Sequence, residues 1–121
     1  MGKKGSKILH PAVKLMFVSE SKFFGPGPVG LLREIDSCGN VRDACEKCGF
    51  SYSKGWTILK KCEEELEYKI VERQAGGKTG GAAKVTEEGH KLMAVYDELE
   101  AELSEVAERR FPEIAEKHEL K

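Results

Sequence analysis

Hydroxyls, an amine and an aromatic pair crowd into one short stretch, Ser51-Tyr52-Ser53-Lys54-Gly55-Trp56-Thr57. No base stands beside any of these hydroxyls to make it a nucleophile. They are hydrogen-bonding groups. Hydroxyls, a lysine and the free N–H groups at a helix start hold phosphate oxygens. Lys54 can also reach a guanine edge, and Thr57 presents a hydroxyl or a methyl to bases. Lys60 and Lys61 add two cations a turn further on. The other reactive groups are four cysteines, Cys38, Cys45, Cys48 and Cys62. Cys45-x-x-Cys48 with two more thiols could bind zinc or an iron–sulfur cluster, or act as a redox pair. The spacing between the pairs is unlike that of zinc modules, and a helical cysteine commonly packs as a small hydrophobe. We read them as reduced, buried thiols with no metal, the sensor reading being the alternative. His10, His90 and His118 are scattered and suggest no ligand set. No set of nucleophile, base and orienting group is visible, so neither an enzyme nor a cofactor is expected.

Two helices must position this stretch. Asn40 is a good N-cap, and Val41, Ala44, Cys45 and Cys48 then recur at helical spacing. Gly49 ends that helix. Ser51 or Ser53 caps the next, with Trp56, Leu59, Cys62 and Leu66 on its apolar side and Ile58 at the flank. Residues 40–67 thus read as a helix-turn-helix, whose second helix would enter a DNA major groove by its N-terminal end. On this window alone a helical hairpin with a solvated polar face fits equally well.

The flanks narrow the choice. Residues 12–24 read as a β-hairpin turning at Ser19–Lys22, with Phe23 and Phe24 returning. Gly25, Gly27 and Gly30 satisfy Gly-x-Gly-x-x-Gly, but Pro26 and Pro28 lack the N–H groups that would bind pyrophosphate, so a dinucleotide site is rejected. The better reading is a corner leading into a helix from about Pro28 to Ser37. Downstream, residues 69–74 and 83–86 read as two strands around the glycine-rich 75–82, a wing beside the helix-turn-helix. Arg73, Lys78 and Lys84 would bring positive charge there, and glycines let backbone approach phosphate. The Gly-Lys-Thr in the wing is no nucleotide-binding loop, because the glycine required five positions before Gly77 is Glu72. Thr86 caps a last long helix. Leu92, Tyr96, Leu99, Leu103 and Val106 step along it by four and three, a seam expected to pair with a second copy. Pro112 is expected to interrupt this helix.

Composition agrees with a small folded domain: 121 residues, 40% hydrophobic and 34% charged. No stretch approaches the roughly 20 apolar residues of a membrane helix, and no secretory signal is visible, so no membrane partner is expected. Four cysteines without a signal suggest a reducing cytoplasm. The net charge of −1 hides an asymmetry. Residues 1–85 carry 15 Lys and Arg against 10 Asp and Glu, whereas residues 86–121 carry 5 against 11. The basic part contains the phosphate-ready stretch, and the acidic part can face away from a polyanion.

The run FFGPGPVGLLREIDSCGNVRDACEKCGFSYSKGWTILKKCEEEL, followed by IVERQAGGKTGGAAKVTEEGHKLM, resembles the N-terminal DNA-binding domain of the ModE family. Those are molybdate-responsive transcriptional regulators with a winged helix related to the LysR type. The resemblance covers about Val13 to Leu99. It rests on FGPG before the first helix, I-D-x-x-G at its end, and S-Y-x-x-x-W opening the second helix of the pair. The V-E-R strand, the glycine-rich wing and K-V-T-x-x-G complete it. The family usually has small or aliphatic residues at Cys45 and Cys48. The resemblance implies an α+β, mostly helical winged helix-turn-helix, dimerised through its terminal helices. It would have a flexible basic arm over residues 1–11, a winged domain over 12–86 and a dimerisation helix with tail over 87–121. Double-stranded DNA and a homodimer partner are implied. Ser51, Tyr52, Ser53, Lys54 and Thr57 would face the groove, with Gly76–Gly81 in the wing. Family members that sense molybdate do so through separate C-terminal β-barrel domains, so no molybdate site is expected in this chain. Rival readings keep the scaffold but make it a protein-interaction module or a cysteine-based metal or redox sensor.

Overall fold

A computed structural model describes residues 7–74 and 82–121 of the chain. Two short strands, β1 (Phe17–Val18) and β2 (Lys22–Phe24), form the N-terminal antiparallel hairpin. The hairpin is shorter than expected, since residues 12–16 run without regular structure. It leads into α1 (Pro26–Cys38), which starts two residues before the expected Pro28. The reason is local: the first N–H groups of a helix have no acceptor within it, so prolines there cost little. The first backbone bond runs from Val29 N to Gly25 O at 3.0 Å. Gly39, at φ 81°, closes the helix in the left-handed region where a Cβ would be strained.

Asn40 then starts α2 (Val41–Cys48) with a reciprocal cap. Its side-chain oxygen accepts from Asp43 N at 2.7 Å, while its Nδ2 donates to the Asp43 carboxylate at 3.0 Å. Gly49, at φ 79°, makes the turn, and Ser51 caps α3 (Tyr52–Leu66) by accepting from Lys54 N at 3.0 Å. The wing strands β3 (Val71–Arg73) and β4 (Ala83–Val85) pair antiparallel, Glu72 facing Lys84. The α1–α2 junction joins their sheet: Ala83 N donates to Gly39 O at 2.9 Å, and Asn40 bridges Ala82. This sequence of helix, helix-turn-helix, wing and long helix is the expected α+β, mostly helical architecture.

The last element, α4 (Glu87–Lys117), is one continuous helix. Pro112 lies within it, so the expected interruption does not occur. A proline there removes one i→i−4 bond and crowds the carbonyl four residues back. The helix resumes with Glu113, Ile114 and Ala115, and Arg110 pairs with Glu113 across the proline.

One core joins all the elements. Phe24, Leu31, Leu32, Ile35, Val41, Leu59 and Ile70 are buried with residues of both wing strands, and Leu92 and Tyr96 of α4 close the far side. Tyr96 packs edge-on against Phe17 and Phe24 and donates its hydroxyl to Leu15 O at 2.9 Å. Arg33 pairs with Asp97, and His90 with Asp36 at 2.8 Å, so α1 grips the first turns of α4. Leu92 and Tyr96, expected in an intermolecular seam, are therefore occupied within their own chain. The N-terminal segment and hairpin fold over Tyr96, through Leu15, Phe17 and Phe24, a long-range contact that helical spacing does not encode.

Candidate nucleic-acid interface

The inner face of α3 is Gly55, Leu59 and Cys62. Gly55 takes the place expected of Trp56, because the Cys45 side chain of α2 lies directly on its backbone. With 3.6 residues per turn, Ser53, Thr57, Lys60 and Lys61 project from the opposite face. Lys54 lies at one edge, Tyr52 and Trp56 at the other. All of these are exposed except the two aromatics, which are half-buried. The helix is also polarised along its length. Its cations Lys54, Lys60 and Lys61 precede its acids Glu63, Glu64 and Glu65, which puts positive charge towards the N-terminus, where the helix dipole is itself positive.

Two of the expected hydroxyls are already engaged. Ser51 Oγ is the N-cap, and Thr57 Oγ1 donates to Ser53 O at 3.0 Å. A cap still leaves its oxygen at the helix start, and Thr57 keeps a methyl for base contact. Lys54, Lys60, Lys61, Arg73 and Lys84 have no ion-pair partner among the described residues. The ion pairs instead join α1 to α4, decorate α4 itself, or link Lys69 to Glu63.

The wing residues divide. Val71 and Arg73 share one side of β3, and Arg73 lies over the Trp56 ring at 4.3 Å. Glu72 and the facing Lys84 project from the other side, so Arg73 and Lys84 are not brought to a common surface. Lys78 and Gly76–Gly81 lie outside the described residues. Glu63 of α3 fixes the wing's base: its Oε2 accepts from Ile70 N at 2.9 Å and Val71 N at 3.2 Å.

Sequence reasoning missed Arg42. It stands in the first turn of α2, and its guanidinium lies 4.3 Å from the centre of the Tyr52 ring. Tyr52 in turn meets Trp56 edge-on, with centroids 6.5 Å apart. Arg42, Tyr52, Trp56 and Arg73 thus form a continuous ladder from α2 across the start of α3 to the wing. An arginine among solvated residues of a short helix gives no local signal; only the α2–α3 crossing sets it on Tyr52. The indole Nε1 of Trp56 is buried without an acceptor among the described residues, where contact with Tyr52 and Arg73 holds the ring.

The cysteines do not converge on a metal site. No group of three or more His, Cys, Asp or Glu side chains is arranged to hold a metal ion among the described residues. Cys45 and Cys62 are buried, Cys48 is half-buried and Cys38 is exposed. Burial raises the Cys45 and Cys48 thiols above their ordinary range, and it pushes Cys62 up to about 12. All three are therefore held protonated, the opposite of an activated thiolate.

No protein-family profile matches the chain. It is 32% identical over 83 residues to the transcriptional regulator ModE of Haemophilus influenzae, covering 69% of this chain and 32% of that protein. It is likewise 32% identical over 82 residues to the DNA-binding transcriptional dual regulator ModE of Escherichia coli, 68% of this chain and 31% of that one. The chain carries a ModE-like domain. The molybdenum-pterin-binding protein MopA of Rhodobacter capsulatus is 35% identical over 80 residues, 66% of this chain and 30% of that protein. The ModE-like chain spans about a third of the length of these relatives. No helix of the described ModE-like residues is long and apolar enough to cross a membrane.

Proposed function

We propose that this chain is a DNA-binding transcriptional regulator that sets α3 in the major groove of double-stranded DNA, with the wing alongside. The observation that carries the reading is the outward start of α3. Ser53, Lys54, Thr57, Lys60 and Lys61 stand exposed there, and its cations have no carboxylate partner among the described residues. A surface whose cations are left unpaired is suited to a polyanion. The relatives named as transcriptional regulators support the same reading. Ser53, Lys54 and Thr57 read bases, while Ser51 and the N–H groups it does not cap hold phosphate. The chain is not an enzyme in this reading.

Binding is by a homodimer. Val95, Leu99, Leu103 and Val106 of α4 are exposed by 57, 40, 40 and 45%. Two copies joined there present two α3 helices to half-sites about one DNA turn, or a multiple, apart.

Fluorescence anisotropy with a labelled duplex at a series of salt concentrations tests this. A steep fall of log affinity with log salt is expected, as counterions are released from several phosphates. Lys54→Ala with Thr57→Ala should relax discrimination between target and random duplex by about 1–3 kcal/mol for each base pair no longer read. Unchanged discrimination in that double variant would put the reading surface elsewhere.

A further inference from the structure

Arg42 and Arg73 approach the start of α3 from different elements, and each lies over an aromatic ring, with no carboxylate paired to it among the described residues. A guanidinium over a ring face still leaves N–H donors free. Its five N–H donors point outward round the edge, in the plane that suits phosphate. The rings also hold each side chain in place, so little rotamer freedom remains to be lost on binding. Successive steps of the ladder are 4.3, 6.5 and 4.3 Å. The guanidiniums are therefore at most about 15 Å apart, along the Tyr52–Trp56 edge of α3.

We propose that Arg42 and Arg73 are paired phosphate clamps, held on Tyr52 and Trp56, that grip the DNA backbone running along that edge of α3. This rests on the DNA-binding reading above and adds to it a residue from α2 and a role for the two aromatics. Tyr52 is then a platform for Arg42 rather than a reader of bases. The ladder couples three elements, so it fixes how deeply and at what angle α3 sits.

Salt titrations of Arg42→Ala and Arg73→Ala against both a target and a random duplex provide the test, with circular dichroism to verify the fold. Each substitution should flatten the slope of log affinity against log salt by about 0.9 per subunit bound. Affinity should fall by the same factor on both duplexes, because a phosphate carries no sequence. Arg42→Lys keeps the charge and should retain the slope while binding more weakly, since an ammonium lacks the planar fork. Tyr52→Leu should weaken binding in the same direction as Arg42→Lys. Unaltered slope and affinity in both alanine variants would overturn the clamp. So would a loss confined to the target duplex with the slope intact, which would make the arginines base readers. If the unmodified protein binds target but the arginine variants behave identically to it, only the clamp fails. If it binds no duplex even at low salt, the regulator reading fails and the clamp with it.

Discussion

At the scale of single residues, Gly55 shows how one missing side chain sets a helix crossing. A glycine within a helix normally costs about 1 kcal/mol relative to alanine. Here a methyl would collide with the Cys45 thiol, and the next nearest atom, Cys45 Cβ, lies at 3.7 Å. Gly55→Ala should therefore destabilise the fold by about 1–3 kcal/mol, as overpacking does, despite its better helix propensity. Cys45→Ala in the same chain should restore much of that loss, and urea denaturation of the four-member cycle measures the coupling. Cys62 gives a second prediction. Its thiol is raised from 9.0 to about 12 by burial, with Glu63 next in effect. The folded chain thus binds this proton more tightly than the unfolded chain does. The associated stability is complete below pH 9 and is lost as pH rises through 12. Denaturation midpoints between pH 8 and 10.5 should fall with pH in the parent, and less steeply in Cys62→Ala.

The elements show what local pattern encodes and what it leaves out. Asn40, Gly49, Ser51 and Thr86 act as the caps and stops their chemistry implies, because a cap is satisfied within three or four residues. The helix-turn-helix and the wing strands were legible for that reason. Arg42, by contrast, gains its position from the packing of α2 on α3, and Tyr96 is covered by an N-terminal segment far away in sequence. Helical periodicity marks a side as apolar without naming what covers it. The orientation of the wing is another such long-range property, and it depends on Glu63. Glu63→Ala leaves the Ile70 and Val71 N–H groups without that acceptor, at a cost of about 1–3 kcal/mol. Hydrogen exchange should quicken first at those two amides, and affinity for DNA should drop more than stability alone explains. Equal protection in variant and parent would mean the wing is aimed by something else.

For the molecule as a whole, the decisive feature is where α4 leaves the core. Tyr96 is its last buried residue, and the helix continues to Lys117, about 30 Å further at 1.5 Å per residue. That length carries Leu99, Leu103 and Val106 on an acidic surface and has no core to rest on among the described residues. Leu99→Glu with Leu103→Glu should leave the domain folded, since neither residue is buried, yet shift the sedimenting species from dimer to monomer. Operator affinity should then become that of one half-site. A dimer that survives both charges would mean another surface joins the copies.

The projecting half extends a helix already begun by its buried first turns, and its free end has only its own backbone bonds to hold it. If two copies join along it as proposed, the projecting half of α4 frays less in the pair than in a single copy. Under the proposed pairing, the number of chains in a cell becomes an input in its own right: a modest rise in synthesis converts single copies into pairs, and occupancy of DNA responds more steeply than to a prebuilt dimer.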